Sequence, residues 1–343
     1  MTDVYRQLAE HLDNLPAGFP ATDSGVELRI LKRLFTPEEA SLAVALTMMP
    51  ETAKAVAGRL GVHESDIALK LKRMSQKGLI FRISKAGQEM YMAAQFVVGI
   101  WEYHVNNLDP DLIREVNEYI PHLAQKTWVG EKTRQLRVVP IKRSLDATMT
   151  VTAYEAAEEI IKQQAKIVVA PCICRREHHM AGDGCDKPSE VCLTFGAGAC
   201  YYEQNGLGRA ISRQEALDLL KVGEEAGLVL QPSNSRKPFN ICMCCGCCCQ
   251  VLKNLRVLDK PAHSVHTNYY AEVIPENCTA CEACLDRCQM DAITIDDVAA
   301  IDPDRCIGCG LCVPTCPAEA LMLKQKDAEN QYIPPGNTVK TYF

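Results

Sequence analysis

The first 171 residues contain no cysteine. That half of the chain has neither cross-links nor thiol ligands available, so it is expected to fold as ordinary globular sequence around an apolar core. Long apolar runs are also missing. The longest uncharged one, Met90 to Trp101, falls short of the roughly 20 residues a spanning helix needs. Met1 to Leu15 carry Asp3, Glu10 and Asp13 without an apolar stretch, so no secretory leader is expected. These absences predict a cytoplasmic protein with no membrane insertion. Walker A and G-x-G-x-x-G patterns do not occur, which argues against a nucleotide or flavin site in the chain itself. G-x-S-x-G, H-E-x-x-H and a strong paired-carboxylate motif are absent too, and no catalytic residue is assigned. With 37 basic and 43 acidic residues the net charge is −6. That balance excludes a protein mainly devoted to wrapping nucleic acid, while leaving room for one small basic module.

What the sequence does have is cysteine, 19 in 343 residues. Short secreted scaffolds use such a content for disulfides; in a longer, cytoplasmic-looking chain clustered thiols more often bind metal or do redox chemistry. All fall in three groups: Cys172 to Cys200, Cys242 to Cys249, and Cys278 to Cys316. The expected architecture is α+β and multidomain, with segments 1–150, 151–271, 272–326 and a tail 327–343.

The last group is the most specific. Cys278, Cys281, Cys284 and Cys288 read C-x2-C-x2-C-x3-C, and Cys306, Cys309, Cys312 and Cys316 repeat that spacing 28 positions later, followed by Pro317. The halves align beyond the thiols: Val273 with Ile301, Pro275 with Pro303, Asp291 with Glu319, Ala292 with Ala320. A tight loop with cysteine at every third residue wraps three thiolates round one cluster, and the fourth must come from elsewhere. Residues 272–324 resemble the bacterial-type ferredoxin with two [4Fe–4S] clusters, in which the fourth cysteine of each run serves the other cluster. The resemblance implies one cluster on Cys278, Cys281, Cys284 and Cys316, and a second on Cys306, Cys309, Cys312 and Cys288. It also implies βαβ-type duplication. Gly308 and Gly310 allow close backbone approach in the second loop. Ala280 and Glu282 stand at the matching places in the first, and Gln289 replaces the usual proline after Cys288. A pair of zinc sites is the competing reading, which identical four-cysteine runs fit poorly.

The two middle groups hold eleven cysteines. Cys172, Cys174, Cys185 and Cys192 are expected on a flexible loop that follows a helix near 153–164 and a strand near 165–170. Cys242, Cys245 and Cys248 repeat the C-x2-C-x2-C wrap inside the run from Cys242 to Cys249. Cys244 and Cys247 offer another phase, and six cysteines in eight residues cannot all face one cluster. These seven, Cys172, Cys174, Cys185, Cys192, Cys242, Cys245 and Cys248, are candidate ligands for one or two additional [4Fe–4S] clusters. Structural zinc with buried thiols, or a thiol–disulfide site, are the alternatives. Arg175 and Arg176 flank the proposed site, either to offset a cluster's charge or as a solvated pair; His178 and His179 are expected at the surface. Ser212 with Glu215 predicts a helix start.

In the first half, Thr36-Pro37-Glu38-Glu39 marks a helix start. Two more helices, 52–60 and 65–77, precede a hairpin of 79–83 and 89–92. Residues 36–92 are similar to a winged-helix domain. Lys70, Lys72 and Arg73 lie on the candidate recognition helix, so DNA contact is one expectation and protein docking or homodimerisation the favoured one. Pro121 and Pro140 are expected to break helices.

The domain order resembles multidomain iron–sulfur proteins of anaerobes. The function expected is electron transfer through several clusters, between redox partners such as a flavoprotein or another oxidoreductase. A redox-sensing regulator and an oxidoreductase with a special cluster in the middle region are the alternatives.

Overall fold

The computed structural model describes residues 3–129 and 133–342. Contacts divide the chain into two compact units, residues 1–133 with 197–209, and residues 134–196 with 210–343. Backbone hydrogen bonds show what holds the second unit together. Val139 N–H donates to the Leu230 carbonyl and Ile141 N–H to the Cys309 carbonyl, both at 3.1 Å, so the segment after 133 belongs with the second unit. The tail is tied there as well: Arg236 N–H donates to the Pro335 carbonyl at 2.7 Å, and Tyr332 N–H to the Asn268 side chain at 2.6 Å.

The first unit opens with helices Val4–Asp13, Val26–Leu34 and Pro37–Val44. Thr36 and Glu39 exchange both bonds of a capping box at the third start. A short strand Glu51–Thr52 leads into helices Ala53–Leu60 and Glu64–Gln76, the former stopped by left-handed Gly61. Strands Phe81–Lys85 and Gln88–Met92 form the hairpin, and Gln88–Met92 also pairs with Glu51–Thr52. Pro121 does not end its helix: Pro110–Leu123 runs through it and passes into a wide turn, Ala124–Trp128. Only the last turn is affected, where one missing N–H is cheaply absorbed. The excursion 197–209 brings the Tyr201 hydroxyl to the carbonyls of Ser75 and Ile80, at 2.8 and 3.1 Å.

The second unit is built on a five-stranded sheet in the order Arg209–Ala210, Ile167–Pro171, Glu190–Phe195, Asn240–Cys244, Val229–Pro232. Helix Arg213–Glu225, capped by Ser212, packs on two of these strands and on helix Ala157–Lys162. Val169, Leu193, Phe195, Ile241 and Met243 fill the interior. The segment from Cys172 to Cys192 is not a flexible loop. Cys172 starts a helix, Ile173–Ala181, that ends at left-handed Gly182, and Glu190–Phe195 is the next strand of the sheet. A helix long enough and apolar enough to cross a membrane does not occur among the described residues.

The C-terminal lobe of this unit pairs Tyr269–Val273 with Leu321–Gln325, and Ile293–Ile295 with Ala299–Ile301. Its own core is small: Ala271, Cys284, Ile293, Ala299, Cys312 and Leu321. Two of those six are cysteines, and Val273, Leu285, Ile295, Ile301 and Val313 pack against them.

Ile241 is fully buried on a central strand, whereas Val257 is 79% exposed. Ile241→Ala is expected to cost about 3 kcal/mol through the cavity it leaves. The thermal midpoint followed by circular dichroism should fall clearly for Ile241→Ala and stay unchanged for Val257→Ala.

Candidate metal centres

Ten of the described cysteines that sit in the second unit's middle region, and eight in its C-terminal lobe, converge in four sets; all nineteen are free thiols. Cys200 alone lies apart, on the helix Gly196–Gln204.

In the C-terminal lobe one cavity is lined by Cys288, Cys306, Cys309 and Cys312. A second is lined by Cys278, Cys281, Cys284 and Cys316. The backbone that shapes them is left-handed at Ala280, Glu282 and Asp291, and again 28 residues on at Gly308, Gly310 and Glu319. Gly308 is required: a Cβ there would collide with the Tyr269 carbonyl. Ala280 and Glu282 adopt the same conformation without the freedom of glycine, at φ 52° and 63°. That conformation costs an L-residue roughly 1 kcal/mol.

Four backbone amides point at sulfur. Ala271 N–H donates to Cys306 Sγ at 3.4 Å and Ala299 N–H to Cys278 Sγ at 3.3 Å. Ala292 and Ala320 donate to Cys288 and Cys316, each at 3.2 Å. Such bonds favour the thiolate. They hold the Cys278 thiol below its ordinary range, led by the Ala299 N–H. Burial acts the other way on Cys306 and Cys312, and pushes Cys309 up to about 12. Four converging thiols of this kind ionise together only around positive charge, and the donor set is the all-sulfur one that iron–sulfur clusters take.

The third set is Cys185, Cys245, Cys247 and Cys248, whose sulfurs all lie within 4.8 Å of one another. Cys248 Sγ is 3.5 Å from Cys185 Sγ and 3.8 Å from Cys247 Sγ. Burial alone would raise Cys245, but the Cys248 N–H and the Arg175 guanidinium outweigh it and bring the thiol down to about 7. Cys247 is raised to about 11, first by burial and then by Cys245.

A fourth set runs as a path of neighbouring thiols: Cys172 to Cys174, Cys174 to Cys249, Cys249 to Cys244, Cys244 to Cys242, and Cys242 to Cys192. The triplet Cys242, Cys245, Cys248 is thereby divided. Cys242 and Cys244 belong to the strand Asn240–Cys244, where alternate residues share a face, and Cys242 sits directly opposite Cys192 on the neighbouring strand. Cys245 begins the turn that follows and faces the other set. Cys172, Cys174 and Cys192 likewise part from Cys185, because the helix Ile173–Ala181 carries the chain away before Cys185 returns.

Arg175 is 1% exposed. Its Nη2 donates to the Met243 carbonyl at 2.7 Å, and its Nε and Nη1 have no hydrogen-bond partner among the described residues. Burial opposes its charge, yet Cys172, Cys244, Cys245 and Cys185 hold it protonated. His178 is not at the surface: it is buried, with Nδ1 2.8 Å from the Cys174 carbonyl and Nε2 3.1 Å from Lys253 Nζ. Buried Glu177 accepts from Gln250 at 2.6 Å. Helical periodicity from Cys172 would have placed Arg175 and His178 on one inward face, a signal the polar composition obscured.

Gln289, the departure from the usual proline, has a local use. Its Oε1 accepts from Gly246 N–H at 2.7 Å, tying the turn of the third set to the residue after Cys288. A Cβ on Gly246 would meet the Gln289 carbonyl at 2.5 Å, so only glycine allows the approach.

Comparison with known proteins agrees with this chemistry in the C-terminal lobe. A family profile described as a 4Fe-4S dicluster domain matches residues 277–320. No curated protein matches the chain, and no solved structure does. The chain is an iron–sulfur protein whose cofactors include [4Fe–4S] clusters.

Replacing Gln289 by leucine strands the Gly246 N–H, a loss of about 1–3 kcal/mol. Gln289→Leu is expected to bind less iron per chain than the parent protein, while the ferredoxin-type electron paramagnetic resonance (EPR) signal of the C-terminal lobe persists.

Proposed function

We propose that the chain is an electron-transfer iron–sulfur protein, passing electrons through several [4Fe–4S] clusters between redox partners. The observation that carries this is the placing of at least three four-thiol sets in one compact unit, two of them joined through the Gly246–Gln289 hydrogen bond. In this reading Cys278, Cys281, Cys284 and Cys316 hold one cluster, and Cys306, Cys309, Cys312 and Cys288 the next. Cys185, Cys245, Cys247 and Cys248 hold a third. Bound clusters supply one-electron oxidation and reduction, and the chain's residues set their spacing and potential. Backbone N–H groups donated to the thiolates, and the Arg175 cation, stabilise the more negative reduced state.

The reading extends to partners. A cytoplasmic flavoprotein or another oxidoreductase is the donor or acceptor proposed. The first unit, read as winged-helix-like, is proposed as a docking module. Several of its basic side chains are in ion pairs: Lys70 with Glu38 at 2.5 Å, Lys77 with Glu39 at 2.6 Å, and Arg59 with Glu51. Leu60, Val62 and Leu69 are exposed apolar residues near the same helices. Both observations suit a protein surface better than a phosphate backbone.

Anaerobic reduction of the full chain should yield EPR signals of reduced [4Fe–4S] centres, and the reduced protein should pass electrons to an artificial acceptor. Clusters that cannot be cycled would sink the carrier reading. Gel shift with genomic fragments at physiological salt is expected to show no complex in either redox state. A salt-resistant complex in one state only would favour the redox-sensing regulator.

A further inference from the structure

The fourth set of thiols is left without a use by a relay of three clusters. A single buried cysteine behaves as a small hydrophobe and needs no ligand. Six that neighbour one another, threaded through two strands and two helix starts, are harder to explain that way. Cys172 precedes the helix Ile173–Ala181 and Cys249 the helix Gln250–Arg256, each as the extended residue at the start. Cys192, Cys242 and Cys244 belong to neighbouring strands of the sheet.

Arg175 supplies an independent argument. A guanidinium in the interior requires an anion. It lies among thiols of the third and fourth sets, and two of its nitrogens have no partner among the described residues. Side-chain amides also address sulfur in the fourth set: Asn240 Nδ2 lies 3.3 Å from Cys242 Sγ, and Gln231 Nε2 3.9 Å from Cys249 Sγ. N–H donors at this position suit thiolates rather than thiols.

We propose that Cys172, Cys174, Cys192, Cys242, Cys244 and Cys249 hold a further iron–sulfur centre of at least four irons, with Arg175 as the buried counter-charge it shares with the Cys185 set. The proposal rests on the reading that this chain binds several clusters. A lone zinc ion would take four of the six thiolates, as a [4Fe–4S] cluster does, so the metal count decides between them. The two centres abut. Cys244 and Cys245 are consecutive and serve different sets, as do Cys248 and Cys249, and consecutive Cα atoms are about 3.8 Å apart. Centres this close, sharing one cation, interact magnetically and shift each other's potential on reduction.

Iron and acid-labile sulfide are counted on the full chain prepared without oxygen, alongside zinc. Three [4Fe–4S] clusters give about 12 iron per chain, and the proposal requires about 16 or more, with broadened, mutually interacting EPR signals on full reduction. About 12 iron, or zinc in place of the excess, overturns the proposal and leaves the three-cluster carrier standing. About 8 iron removes the Cys185 centre as well. As a second readout, the double variant Cys192→Ala with Cys242→Ala should lose at least a quarter of the iron and keep the ferredoxin-type signal of the C-terminal lobe, which shows that the chain has folded. Iron unchanged in that variant also overturns it. Arg175→Lys, which keeps the charge, should retain more of that iron than Arg175→Gln.

Discussion

A thiolate buried away from water is stable only beside positive charge or amide N–H groups. The second unit is arranged around that constraint. Where thiols converge, the backbone turns N–H groups toward sulfur, as at Ala271, Ala292, Ala299 and Ala320. Where the backbone is already committed to a sheet, side chains take over, with Arg175, Asn240 and Gln231. The small core of the C-terminal lobe follows from the same constraint. Its interior mixes thiols with a few apolar residues, the thiols lining the two cavities.

The run from Cys242 to Cys249 shows how secondary structure distributes ligands. A strand sends alternate residues to one face, a turn sends consecutive residues in several directions, and a helix start presents one extended residue. One stretch of chain thus serves two separate sets without any long loop. Gln289 then fixes this turn to the loop after Cys288, so that local ligand geometry and the approach of neighbouring sites are set by one side chain.

The legible parts of this chain were those with local signals. Thr36 with Glu39 and Ser212 with Glu215 act within one turn of a helix, whereas Gly182, read as loop, ends a helix. Ligand loops of the C-terminal repeat are equally local, so spacing marked the two four-cysteine runs, and the exchange of their fourth cysteines came from the likeness to two-cluster ferredoxins. The middle region resisted for a physical reason. Period three in Cys242, Cys245 and Cys248 looks the same in sequence whether the chain is a loop or a strand running into a turn, and only cross-strand pairing with Cys192 decides between them. His178 looked exposed because it lies in a polar stretch, and the helix that buries it is held by contacts to Lys253 and the Cys174 carbonyl. The bonds that assign 134–149 to the second unit likewise span many tens of residues.

Exposure within the ligand sets is uneven. Cys281 and Cys247 are exposed, while Cys284, Cys312, Cys245 and Cys248 are buried. Oxidants reach an accessible sulfur first, and oxidation proceeds from sulfenic to irreversible acids there. The same two residues are also the places where wetting stabilises added charge. Oxidative damage is therefore expected to begin at these two sulfurs and to reach the buried ligands of the same sets only afterwards.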